Sequence, residues 1–454
     1  MVLRLWYITQ PQLTKFMQET IQYIIQFLLG PQVSASVAET IAYCQPEAAE
    51  PKHKIIIRPS GFFNPEVYGT PETIPQMPLR IWEETPLIYG DERSEIIDGK
   101  LVLNADIVAS SYFLLSRYEE MVRPDVRDAH QRFPGKESLP YRAGFIDRPL
   151  VDEYGRILRQ LLREQGVEVP EPPAVIKKIY LTHDVDQMAH FRNVRGMLGG
   201  VLRGLKRRKE GSRALKSYFG NLWDDPWYTF PFLFKLDNDL RKKLGEERCE
   251  NITFIRSSGA KLKEDKPFPD LMHPDYKMLI RYCKKKDISI GLHTSYEAGI
   301  DPSLANAEKA KLEKFAGVEI KYNRHHFLNA RKPQDMQYIS RAGFQHDFSL
   351  GYADMAGFRL GTCRPVQSIN PLTGLVDHNL TLHSLNIMDR TLDDKRYMYM
   401  NAHDAFQYCV QLIEMIATYN GELTLLWHNN SVEKLSISYH RQLYQQLLDY
   451  LSEK

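Results

Sequence analysis

Leu181-Thr182-His183-Asp184-Val185-Asp186 follows directly on the partly apolar run 175–180 and sets two carboxylates two positions apart at the end of a short extended segment. Side chains of a strand alternate between faces, so Asp184 and Asp186 point one way and His183 the other. Two carboxylates this close divide the work, one binding a metal and the other acting as a base. A pair of solvated turn residues would give the same letters. The stretch therefore takes its meaning from what lies further along the chain.

From residue 175 onward, strand-like runs at 178–183, 251–256, 288–294, 320–327, 344–349, 364–369, 380–387 and 422–427 alternate with helical runs at 274–286, 304–315, 335–342, 402–419 and 436–452. That alternation predicts a parallel α/β layer or a (β/α) barrel, in which chemistry gathers at the C-terminal ends of the strands. Polar residues collect at those ends: His293-Thr294-Ser295-Tyr296-Glu297, Asn323-Arg324-His325-His326, His346-Asp347-Phe348-Ser349 and Trp427-His428-Asn429-Asn430. With the Asp-x-Asp stretch that makes five clusters at the same end of their strands, the pattern of an active site.

The first 174 residues read as a mixed α/β domain, with a helix at 10–29, strands at 54–58 and 101–104, and helical stretches at 105–122 and 152–164. Pro170, Pro172 and Pro173 then mark a linker, dividing the chain into 1–174 and 175–454. Hydrophobic residues at 43% and charged residues at 26% of 454 are ordinary for a globular protein. A net charge of +2 argues against nucleic acid as a general partner.

The run 192–216 is an exception, with nine bases against the single acid Glu210; it reads as a solvated helix face or loop, and more sharply as a contact for an acidic glycan or a membrane surface. The aromatics Trp223, Trp227, Tyr228 and Phe230 read as a plug over the barrel or as a platform for a sugar ring. Five cysteines without a CxxC pair read as reduced core residues. The apolar stretch 21–29 is short and broken by Gln22 and Gln26, and no window reaches the ~18 apolar residues of a transmembrane helix. The expectation is a cytoplasmic protein without a transmembrane segment.

The five clusters, in this order, resemble the five motifs of the NodB-type polysaccharide deacetylases, the metal-dependent carbohydrate esterases of family four. The resemblance covers about 175–454. Together with the N-terminal domain and the stretch Gly357-Phe358-Arg359-Leu360-Gly361-Thr362-Cys363, it is similar to a bacterial branch often found among surface-polysaccharide genes. It implies a distorted (β/α) barrel that removes acetyl groups from an amino sugar or glycan with a divalent metal, commonly zinc.

Residue by residue, the resemblance implies that Asp184 is the general base and that Asp186 and His293 are metal ligands. The family's second histidine falls where this chain has Glu297. Either Glu297 binds through oxygen, or His326 supplies the imidazole, or the site is metal-free. Arg324 matches the motif arginine that pairs with Asp184, although the usual following proline is missing. Asp347 matches the aspartate that orients His428, the implied general acid, and Trp427 and Tyr296 are the candidate substrate-binding aromatics. His183, on the opposite face, reads as a satisfied core histidine. A glycan-binding module that has lost activity, and an amidohydrolase for a non-sugar amide, are the competing readings.

Overall fold

The computed structural model describes residues 10–205, 208–259, 261–433 and 438–454. Lys206, Arg207 and the start of the predicted helix 436–452 lie outside them; the rest of that helix is His440–Leu451.

The N-terminal region builds a four-stranded sheet from β1 (Ile41–Tyr43), β2 (Ile55–Ile57), β5 (Gly90–Ile97) and β6 (Lys100–Ala105), in the order β1-β2-β6-β5, with a separate hairpin of β3 (Arg80–Trp82) and β4 (Thr85–Leu87). The two predicted strands are there as β2 and β6. β5 escapes the sequence pattern because it is an edge strand, exposed along most of its length, and carries no apolar alternation. The predicted helix 105–122 is two helices, Ile107–Leu115 and Tyr118–Val122. They break at Arg117, whose φ of 59° is left-handed.

The second sheet has nine strands: β7 (Lys178–Val185), β8 (Cys249–Ile255), β9 (Ser289–Thr294), β10 (Tyr322–His325), β11 (His346–Leu350), β12 (Val366–Asn370), β13 (Leu375–Ser384), β14 (Ile387–Met388) and β15 (Glu422–Leu426). Their order is β12-β13-β11-β10-β9-β8-β7-β15-β14, parallel throughout except for the β12–β13 pair. β13 pairs with β11, and two residues later the same chain segment pairs with β15 as β14. Across that gap Leu385 N donates to Leu350 O of β11, while Thr424 N of β15 donates to Asn386 Oδ1. The sheet thus curls back on itself, and the ends of β7, β9, β10 and β15 face a common mouth.

One apolar core runs through both regions, from Ile24 and Phe113 to Leu181, Leu292 and Leu425. The stretch 357–363 is a docking strip between them. Phe358 N donates to Ile146 O, Val151 N to Gly361 O, and Thr362 Oγ1 to Asp152. Gly357 is required there, since its φ is +143° and a Cβ would stand 2.3 Å from Ile146 O.

In the same strip, Arg359 and Arg117 both grip the buried carboxylate of Glu120, with N···O distances of 2.6 to 3.0 Å. Burial works to raise the Glu120 pKa, and the two guanidinium groups overcome it and hold the acid below its ordinary value. Replacing Glu120 by Ala strands two buried cations, so equilibrium urea unfolding at pH 7 should show a loss of roughly 3–5 kcal/mol. The stabilisation from the lowered pKa is present above the ordinary glutamate range and fades as pH falls through it.

Candidate active site

β7 delivers Asp184 and Asp186 to the mouth as its alternation predicts. Asp184 is buried; its Oδ1 accepts from Arg324 Nη1 at 3.0 Å, and Oδ2 lies 3.5 Å from His293 Nε2. Arg324, fully buried on β10, also donates to Thr182 Oγ1 and Phe348 O and stacks on the Phe254 ring. Its geometry aligns the carboxylate from below. His183 faces the other way, between Trp427 O and the buried Asp237, as a satisfied core histidine.

Asp186, His293 and His326 present ligand atoms that all lie within 4.8 Å of one another. Asp186 Oδ1 is 3.1 Å from His293 Nε2 and 3.5 Å from His326 Nε2. Nδ1 of His293 lies 2.9 Å from the Arg324 carbonyl oxygen, which can only accept, so that nitrogen carries the proton. Nδ1 of His326 likewise donates to Asp265 Oδ1 at 3.0 Å.

Burial, which outweighs the nearby Asp186 and Asp265, keeps the His326 pKa below its ordinary value. Asp186 is held ionised: burial works to raise its pKa, but His326, His293 and His428 lower it well below the carboxylate range. The Nε2 atoms of both rings and a carboxylate oxygen therefore converge on one point, and with Nδ1 the donor in each ring the Nε2 atoms are the ones placed to ligate a cation. Donors about 2.1 Å from one centre at tetrahedral angles stand about 3.4 Å apart, a spacing the two Asp186 distances bracket. The donor set fits a divalent ion such as zinc.

His326 does not reach this point by strand alternation as predicted. β10 ends at His325, and the chain turns sharply through Phe327 and Leu328, with φ of 60° and 52°. The turn is braced from the N-terminal region, where Arg132 Nη1 donates to Phe327 O at 2.7 Å and Arg117 Nη2 to Ala330 O at 2.8 Å. Glu297, the alternative ligand, is not part of the group. β9 ends at Thr294, and the following turn carries Glu297 to Lys261, 2.9 Å away.

His428 stands on the other side of Asp186, with Nε2 3.7 Å from Oδ2. Its partner is not Asp347. That carboxylate is fully buried and taken by Asn323 Nδ2 and by the Ser349 N–H and hydroxyl. Asp389 takes the orienting place, accepting His428 Nδ1 and backbone N, each at 2.8 Å. Burial would lower the His428 pKa, but Asp389, then Asp186 and Asp184, push it up to about 9.

Trp427 cannot touch a substrate in the cavity: it is fully buried, with Nε1 donating to His440 O. Tyr296 is also buried and packs its ring edge-on against Phe327. Phe327 and Tyr397 are the aromatics that line the cavity of about 370 Å³, along with Asp184, Asp186, His293, His326 and His428. Arg132, Arg390 and Arg396 stand around it.

Of the residues that sequence reasoning missed, Asp389 follows a predicted strand end and obeys the rule that flagged the others. Asp265 sits among the charged residues 261–266 and gives no such signal.

"Family of unknown function (DUF7033)" matches residues 3–167, and no curated protein matches the chain. Among solved structures, "putative polysaccharide deacetylase from Mycobacterium smegmatis" aligns at 12% identity and a TM-score of 0.38, over 62% of this chain and 89% of that one. Puue allantoinase aligns at 12% identity and a TM-score of 0.38, over 64% of this chain and 89% of that one. Likeness at that level assigns no activity.

Proposed function

We propose that the chain is a divalent-metal-dependent hydrolase that removes acetyl groups from an amino sugar or glycan, built as a distorted (β/α) barrel of the polysaccharide deacetylase type over 175–454 with an N-terminal domain over 1–174. The observation that carries the reading is the convergence of the Nε2 atoms of His293 and His326 with Asp186 Oδ1 between the Arg324-paired Asp184 and the cationic His428. Asp186, His293 and His326 would hold the ion, zinc suiting their N, N, O set. Such an ion, when bound, lowers the pKa of water towards about 7 and polarises an acyl oxygen.

Asp184, aligned by Arg324, takes the proton of the attacking water. His428, protonated through neutral pH by Asp389, gives its proton to the departing amine nitrogen, so the C–N bond breaks without a charged leaving group. Acetate and the free amine result. Phe327 and Tyr397 offer apolar faces to the ring of a bound sugar. A cavity of about 370 Å³ is at the small end of ligand sites and suits one such ring.

Purified protein should carry one divalent ion per chain by elemental analysis and release acetate from N-acetylglucosamine oligomers. Chelation should abolish release and added zinc restore it. His326→Ala should weaken metal binding more than about 100-fold, while Glu297→Ala keeps the ion. A wild-type protein that takes up no divalent ion overturns the reading. Metal retained without acetate release would remove the sugar substrate and leave a non-sugar amide.

A further inference from the structure

The segment between β7 and β8 opens with two helices, Val194–Gly204 and Arg208–Phe219, whose packing leaves Val194, Leu198, Leu202, Leu215 and Phe219 outside. Glycines face the contact: a Cβ on Gly204 would stand 2.5 Å from Gly211 Cα, and one on Gly200 would stand 2.6 Å from Ala214 Cβ. Close approach on that side turns Leu198 and Leu202, one turn apart, towards solvent at 52% and 65% exposure. Leu205, Phe219 and Trp223 are exposed too. Seven of the twenty exposed large apolar side chains among the described residues fall within 194–223.

The same segment concentrates the molecule's positive charge. Residues 192–216 hold nine bases and one acid, while the whole chain is only +2, so everything outside the segment is net negative. Carboxylates pair with Arg192, Arg203 and Lys216, and Arg195 is exposed beside the leucines. Asp225 and Asn429 pin the base of the hairpin. Asp225 accepts from the N–H groups of His190, Phe191 and Trp227, and Asn429 Nδ2 donates to Gln187 O and Trp227 O. Asn429 is the neighbour of His428, so the hairpin is rooted at the rim of the cavity.

We infer that this hairpin docks the protein on the surface of an anionic lipid bilayer. Leucine, phenylalanine and tryptophan side chains enter the headgroup boundary, and Arg195 and the net positive charge of the segment meet the lipid charge. No described helix is long and apolar enough to cross a membrane, so the contact is peripheral. A second copy is a poor occupant, since a two-fold contact would set one basic segment against another. An acidic glycan offers nothing to the leucines. The inference is independent of the deacetylase reading.

Full-length protein is to be sedimented with vesicles of phosphatidylcholine containing about 30% phosphatidylglycerol, and with phosphatidylcholine alone. The expected result is pelleting with the anionic vesicles and at least about tenfold weaker partition on neutral vesicles or at about 0.5 M salt. The double variant Leu198→Gln/Leu202→Gln should lose at least about tenfold in partition with unchanged far-UV circular dichroism and thermal midpoint. Wild-type protein that stays in the supernatant with anionic vesicles overturns the inference. So does a double variant that binds as tightly as wild type, or a leucine-dependent dimer in sedimentation velocity with no vesicle binding.

Discussion

Replacing Asp184 by Asn should lower kcat for acetate release by about 10²–10⁴ while the protein keeps its divalent ion. Asp184 is not one of the three converging ligand atoms, so the N, N, O set survives the change. What disappears is the acceptor for the proton of the attacking water, because an amide oxygen is too weak a base at neutral pH. A second effect accompanies the first. Arg324 is fully buried, and Asp184 is its carboxylate partner. Without that charge a buried guanidinium is uncompensated, at a cost of roughly 3–5 kcal/mol in unfolding free energy.

The two effects separate experimentally. Asp184→Asn protein assayed well below its thermal midpoint, with metal content measured on the same sample, should remain folded and loaded yet nearly inactive. Activity within about tenfold of wild type under those conditions would remove Asp184 from the role of base.

Asp389→Asn should move the proton-donating limb of the pH profile. In wild type the imidazolium of His428 persists to a pH of about 9, because Asp389 and the site carboxylates outweigh burial. An asparagine cannot accept from both Nδ1–H and the backbone N–H through its one oxygen, and its amide nitrogen repels a protonated ring. Burial is then opposed only by Asp186 and Asp184. The His428 pKa should fall towards or below the ordinary value of about 6.5.

In metal-free protein, NMR titration of the His428 ring would read the fall directly. In the loaded enzyme the alkaline limb of kcat should move down in pH, with kcat at pH 8 reduced about 30-fold as the protonated fraction of the ring drops. A His428 titration unmoved by Asp389→Asn would show that Asp389 does not set the proton. The raised pKa also carries a stability consequence. The contribution is full below about 6.5 and is lost as pH rises through about 9, so Asp389→Asn should flatten the decline of stability over that range.

Much of the fold was legible because period and polarity are local properties. Predicted strands at 178–183, 251–256, 288–294, 344–349 and 422–427 coincide closely with β7, β8, β9, β11 and β15. Departures came where local pattern is weak. β5 is polar along its exposed edge, β10 stops short because the backbone bends at Phe327, and the helices Val194–Gly204 and Arg208–Phe219 hide a glycine contact inside a sequence that reads as a solvated helix face or loop.

The amino-acid order determined which side chains arrive at the strand ends, since alternation along β7 puts Asp184 and Asp186 on one face regardless of the rest of the chain. Tertiary structure decided which partner each histidine finds. His326 is protonated on Nδ1 through Asp265, 61 positions earlier, and His428 through Asp389, 39 positions earlier, while the motif-matched Asp347 is consumed by Asn323 and Ser349. Hydrogen bonds discriminate over fractions of an ångström, and only the register of the curled sheet and the brace from Arg132 fix distances that finely.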